Sequence, residues 1–200
     1  MERSRGLRFD SKNALPAAVV ALSVAASCAV SAQQPATATP KQPASAAGAP
    51  STPPTDVKFY GNPNSPISSG VLIPPGRASI WVSGTTPPVL KADAPPGARE
   101  RFGDTKTQAA GILKTIDAQL AAHGLSMRDA VYIRAYLVPD AAKENKIDVA
   151  GWNAAYAEMF NTAANPVKTA RSTVGVAALV NADWLIEIEA FAVYPPGQIR

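Results

Sequence analysis

The chain has 200 residues, of which 46% are hydrophobic, 17% charged and 6% aromatic, with a formal net charge of +4. Its single cysteine (Cys28) excludes an internal disulfide or a cysteine zinc site, and its single histidine (His123) excludes a multi-histidine metal centre and argues against a Ser-His-Asp triad. No Lys/Arg block or aromatic-basic interleaving marks a nucleic-acid surface, and 19 prolines, most of them before residue 100, confine the packed core to the later part of the chain.

Residues 1–32 read as a secretory signal. Arg3, Arg5, Arg8 and Lys12 form a basic start, Ala14 to Val30 is predominantly apolar and uncharged, and Val30-Ser31-Ala32 approximates the small-x-small pattern ahead of a cut at Gln33. The Ala-rich run is marginal for a permanent span, so an uncleaved anchor is the lesser alternative. No Arg-Arg pair occurs in it, which points to the general secretory route. Val24-Ala25-Ala26-Ser27-Cys28 loosely resembles a bacterial lipobox, which would make Cys28 a lipidated first residue. The expected location is exported and periplasmic, with a membrane attachment only through the signal or a lipid on Cys28. Removing the leader leaves 15 basic and 13 acidic residues and lowers the net charge from +4 to +2, so no polyanionic partner is expected. Residues 33–56 have almost no large apolar side chain and many prolines, and read as a disordered spacer before a domain at 57–200.

Within that domain, Val71-Leu72-Ile73 and Ala78 to Ser83 read as two strands around the turn Pro74-Pro75-Gly76. Residues 85–104 are irregular. Asp104 or Thr105 can cap a helix over 106–122, whose apolar stripe is Ala109, Ile112, Leu113, Ile116 and Leu120. His123-Gly124 closes it, which makes His123 a helix-end residue rather than a catalyst. Strict alternation predicts a strand over 130–137. Val149, Trp152, Tyr156 and Phe160 predict a second helix over 146–161. Further strands are expected over 172–179 and 184–193, the last with Trp184, Ile186, Ile188, Ala190 and Ala192 on one face. This order predicts an α+β fold, one mixed sheet with two helices on one face. The other face, carrying Tyr132, Tyr136, Leu185 and Phe191, is too apolar for open water, so a homo-oligomer is expected.

Glu187 and Glu189 share one face of the last strand, and Arg171 precedes a strand that can lie alongside. An arginine fork holds a carboxylate in two bonds, and a glutamate in a partly apolar site can handle a proton. Together they could bind a small carboxylic acid and work on it with a water. Equally, an Arg–Glu pair could merely tie strands together, and spacing alone favours that second reading.

Residues 170–193, ARSTVGVAALVNADWLIEIEAFAV, resemble the signature of the RidA/YjgF family of reactive-intermediate deaminases, ARS-x-V-x-VA-x-L and then IEIEA-x-AV. Trp152-Asn153-Ala154-Ala155-Tyr156 with Met159-Phe160 is similar to the family's VNATYEAFF-like helix, and HGLSMRDAVYIRAYLVPD to its AGL-containing segment. Ser65 to Val71 resembles its GPYSQAV strand, and Trp81-Val82-Ser83-Gly84 its VSG. The resemblance implies a chorismate-mutase-like fold, a homotrimer with clefts between subunits, and hydrolysis of 2-imino or enamine acids such as 2-aminoacrylate to 2-keto acids and ammonia, with neither cofactor nor metal. It puts Arg171 at the arginine that grips the substrate carboxylate and Glu187 at the glutamate that handles the attacking water or a proton. Ser83 and Asn153 match cleft positions. Ile67 stands where the family has Tyr, Thr173 where it has Cys, Lys168-Thr169 where a Pro is usual, and Leu179-Val180 where Leu-Pro is usual. Losing the Tyr hydroxyl removes one polar handle from the pocket, and favours a second reading, a non-enzymatic trimeric module that binds a small carboxylate. Keeping Arg171 and Glu187 together favours the enzyme.

Overall fold

The computed structural model describes residues 54–198. The signal over 1–32, the lipobox at Cys28 and the spacer up to residue 53 lie outside the described residues.

The first helix forms where its stripe and its caps agree. α1 runs Thr105–Ala121, and the Asp104 side chain accepts from the Thr107 N–H at 2.8 Å. Gly124, at φ 74°, lets the chain leave the helix, and the Leu125 N–H then returns to the Leu120 carbonyl at 3.0 Å. α2 runs Val149–Met159 behind Asp148, which accepts from the Gly151 N–H at 2.9 Å. It starts later than the spacing predicts because Lys146 pairs with Asp140 to close the preceding loop. Val149, expected in the stripe, is 46% exposed for the same reason: it is the first residue beyond the cap.

Six strands are present among the described residues. β1 (Lys58–Tyr60) and β2 (Gly70–Leu72) make a two-stranded antiparallel ribbon. β3 (Ser79–Thr85), β4 (Ala130–Leu137), β5 (Ala170–Gly175) and β6 (Ile186–Val193) make one sheet in the order β3-β6-β4-β5. β6 is antiparallel to both neighbours, while β4 and β5 are parallel and joined through α2. Two expectations need correction. The strand over 172–179 stops at Gly175, and Trp184 and Leu185 precede β6 instead of extending it. Leu185 is buried there, its N–H donating to Gln108 Oε1 at 2.7 Å, rather than lying on the outer face.

The two helices cover one face of this mixed sheet. Ile133, Ala135, Leu137, Ile186, Ile188 and Ala190 meet Ile112, Leu113, Ile116, Trp152, Tyr156 and Phe160 in one core. Each fully buried large aliphatic there stabilises the fold by about 1.5–3 kcal/mol. On the far face, Arg134 lies 3.6 Å from Glu189, and Tyr136 OH donates to Glu189 Oε2 at 3.3 Å. Trp81 packs on Phe191 at 5.3 Å between ring centroids yet remains 62% exposed.

Candidate functional site

Sheet register divides the expected site residues into two groups. Arg171 pairs with Ile133 on β4, and Ile133 points into the helix-side core. Arg171 therefore faces the helices. Glu187 pairs with Tyr136 one position out of phase with that core row, so it faces away from them. The two residues are two strands apart and offset by three positions along β4, roughly 14 Å between Cα atoms at ordinary sheet spacings. Within one copy of the chain they do not meet.

The helix-side group is built at the sheet edge. The Arg171 guanidinium donates from Nη2 to Asn153 Oδ1 at 2.7 Å. Its carbon lies 4.6 Å from the Tyr156 ring centroid and 5.3 Å from that of Trp152. Such cation–ring contacts are worth about 0.5–2 kcal/mol, most when water is excluded. Burial, opposed by the Tyr156 hydroxyl, pulls the Arg171 pKa below the usual arginine value, and burial likewise raises that of Tyr156. Arg171 Nε is buried with no hydrogen-bond partner among the described residues. A half-buried guanidinium with spare donors has the chemistry to accept a carboxylate in two bonds. Thr173, two residues on, accepts from Trp152 Nε1 at 3.0 Å. Ile67 joins the group through its neighbour: Ser68 bridges Ala170, its N–H donating to the Thr169 carbonyl at 3.1 Å, while Ile67 packs against the core.

The far-side group is looser. Glu187 rests against β3 so closely that a Cβ added to Gly84 would stand 1.9 Å from its Oε1. Ser83, the neighbour of Gly84, is exposed, and the β3–β6 register shifts between Val82 and Thr85. Glu187, Glu189, Tyr136, Val176 and Leu179 line a shallow concavity of about 280 Å³. Glu189 is engaged by Arg134 and Tyr136, whereas Glu187 has no ion pair or side-chain hydrogen bond among the described residues.

Three contributors were not singled out by sequence reasoning. Trp152 and Tyr156 fit the apolar stripe of α2 and read as core, which they also are. Thr169 stands in place of the usual Pro and gives the buried Tyr156 hydroxyl a partner at 2.8 Å. That substitution was the available signal. Of the segment expected to be irregular, Thr85 ends β3 and Arg99–Arg101 form a 3-10 turn; it is tied down where Arg99 pairs with buried Asp140 and the Gly97 N–H donates to Asp183 at 3.0 Å.

The sequence profile described as Endoribonuclease L-PSP matches residues 77–194. No curated protein matches the chain. Among solved structures, the chain is similar to a Yersinia pestis protein of unknown function, YyfB of the conserved Rid family, at 22% identity over 70% of this chain and 99% of that one, with a TM-score of 0.52. The YjgF gene product of E. coli is 31% identical over 66% of this chain and 91% of its own, at a TM-score of 0.45. E. coli TdcF, solved with bound serine, is 27% identical over 66% of this chain and 90% of its own, at a TM-score of 0.46.

Proposed function

We propose that this chain, which belongs to the YjgF/RidA (endoribonuclease L-PSP) family, hydrolyses small 2-imino or enamine acids to 2-keto acids and ammonia. The observation that carries the reading is Arg171: half-buried, seated on two aromatic rings, held by Asn153 and still rich in unused donors. A planar carboxylate next to an imine carbon is the small ligand such a fork selects. The imine carbon is already electrophilic, so orientation and one polarised water suffice. Arg171 fixes the acid. An enamine acid first takes a proton at C3 to become its 2-imino tautomer; water then adds to the C=N carbon and loses a proton to Glu187, which passes it to the nitrogen. The resulting amino-alcohol expels ammonia and leaves the C=O. Because Arg171 and Glu187 lie on opposite faces of one sheet, the reading requires at least two copies, one offering Arg171 and its neighbour Glu187, and the family resemblance makes that assembly a homotrimer. Exposed Trp81 and Val174 on the far face support such a contact.

The same separation favours one second reading, a carboxylate-binding module in which Glu187 never meets the ligand. A coupled assay decides between them. 2-Aminoacrylate, or imines released by an L-amino-acid oxidase, is trapped as semicarbazone in the presence of purified protein. The hydrolase reading expects semicarbazone to fall with wild type and not with Arg171→Ala or Glu187→Gln. A wild type inert on every imine that still binds pyruvate establishes the binding module. Cleavage of RNA that survives Arg171→Ala would replace both.

The proposal extends to location. A leader removed before Gln33, or a lipid on Cys28, would bring the domain to imines outside the cytoplasm. Mass spectrometry of the mature N-terminus with cell fractionation tests this: a chain that keeps Met1 and stays in the cytoplasm would overturn export, and one starting at Gln33 would exclude the lipid.

A further inference from the structure

Two of the chain's departures from its family pattern touch each other. Trp152 stands where the helix pattern has Val, and Thr173 where the strand pattern has Cys. The indole Nε1–H donates to Thr173 Oγ1 at 3.0 Å. A hydroxyl is a good acceptor for that proton, whereas a thiol is a weak one. The Trp152 side chain is fully buried while Thr173 is exposed, so the bond runs from the core to the rim of the Arg171 group.

The geometry explains what the bond holds. Trp152 and Tyr156 meet edge to face, 5.7 Å between centroids at 72°, and form a corner. The guanidinium of Arg171 lies against both rings, 5.3 Å from one and 4.6 Å from the other. Tyr156 is fixed twice, by Phe160 stacked at 4.7 Å and by Thr169 Oγ1 at 2.8 Å. The polar edge of the indole is fixed once, by Thr173. Arginine otherwise carries several freely rotating bonds, and setting them before a ligand arrives removes their ordering cost from binding.

We propose that Trp152, anchored through Thr173, is a positioning residue that holds the Arg171 guanidinium in the orientation that receives the substrate carboxylate. The ring reaches the guanidinium and not the ligand, so its effect on the reaction passes through Arg171. The inference rests on the carboxylate-binding role proposed for Arg171.

Thr173→Val removes the acceptor at nearly constant volume, Thr173→Ser keeps it, and Trp152→Phe keeps a ring without its N–H. The full chain of each is compared by three measurements: the Arg171 Nε–H signal in nitrogen-15 NMR, assigned by its loss in Arg171→Lys; the Kd for pyruvate by calorimetry; and KM and kcat with 2-aminoacrylate. In wild type the two rings should shift the Nε–H resonance upfield. Thr173→Val and Trp152→Phe should each remove the indole's share of that shift and raise the pyruvate Kd and the KM roughly tenfold, the size of one well-made hydrogen bond, with kcat changed less. Thr173→Ser should restore wild-type values. A Thr173→Val protein that melts earlier while keeping the shift and the Kd overturns the proposal, because a purely structural bond would do that. If wild type neither binds pyruvate nor consumes imine, the hydrolase and carboxylate readings fail by themselves. The Nε–H signal still decides whether Trp152 orients Arg171: loss of the indole's share of the shift in Thr173→Val sustains that, and its persistence overturns it. Should Thr173→Val not fold, Trp152→Phe carries the same decision.

Discussion

Gly84→Ala is a one-carbon probe of where Glu187 holds its carboxylate. The added Cβ would stand 1.9 Å from Oε1 and 3.0 Å from Cδ, whereas ordinary contact begins at 3.4 Å. The nearest oxygen must therefore withdraw by about 1.5 Å, and it can, because it ends a flexible side chain. Gly84 is not among the positive-φ glycines, so β3 accepts alanine without backbone strain. The lost freedom of the unfolded chain offsets the crowding, and stability should change by no more than about 1 kcal/mol. Catalysis should respond far more. A misplacement of about 1 Å costs on the order of 100-fold in rate, so kcat for 2-aminoacrylate should fall about 100-fold while pyruvate affinity, set at Arg171 on the other face, stays within about twofold. The assay is loss of semicarbazone, run beside Glu187→Gln and the double variant. Both single changes act on one carboxylate, so the double should be no slower than Glu187→Gln. A kcat for Gly84→Ala near that of wild type, or a double variant markedly slower than Glu187→Gln, would refute the role given to Glu187.

Other perturbations probe the remaining parts. Gln108→Leu removes three bonds, to the Gly103 and Asp183 carbonyls and from the buried Leu185 N–H, and should cost about 2 kcal/mol in urea unfolding; a loss below about 0.5 kcal/mol would show that these buried bonds contribute little. Burial raises the Tyr156 pKa above its ordinary value of 10.0, so its contribution to stability is complete below that pH and is lost as pH rises through the folded-state value. Wild type should thus lose more stability than Tyr156→Phe between about pH 9 and about pH 11, and equal losses would contradict the shift. The only cysteine is Cys28, so alkylation with N-ethylmaleimide should leave imine hydrolysis untouched; inhibition would place the leader in the reaction. Light scattering should give three copies for wild type and one for Trp81→Glu, and a monomeric wild type would rule out the shared cleft.

Local signals predicted the elements well where they were long and self-contained. The strand over 130–137 and the helix starting behind Asp104 agree with β4 and α1 to within a residue, because alternation, stripe and cap all sit within the segment itself. β1 escaped notice, since three residues of Lys-Phe-Tyr carry no periodicity and form a strand only against β2. The candidate site was legible as a set of residues and illegible as an arrangement. Nothing in the spacing of Arg171 and Glu187 reveals that β6 inserts between β3 and β4 while β5 is left outermost. That order comes from the α2 crossover and from partners distant in the chain. Trp152 was hidden for a different reason: one side chain serves the core and the arginine at once, and a stripe reveals only the first duty.

The position of β5 has a consequence for how activity should fail. β5 is bonded to β4 along its whole length, but among the described residues its other side has only the bridge from Ser68 to Ala170. An outermost strand with one full ladder is a region that opens by partial unfolding, at a free energy below that of the whole domain. Arg171 and Thr173 both ride on it. Substrate recognition should therefore melt ahead of the protein. In a urea series, imine turnover should disappear while the circular dichroism of the helices is still native, and amide exchange over 170–175 should be among the fastest of the sheet. A saturating 2-keto acid, bound to the folded strand alone, should slow that exchange and bring the two transitions together.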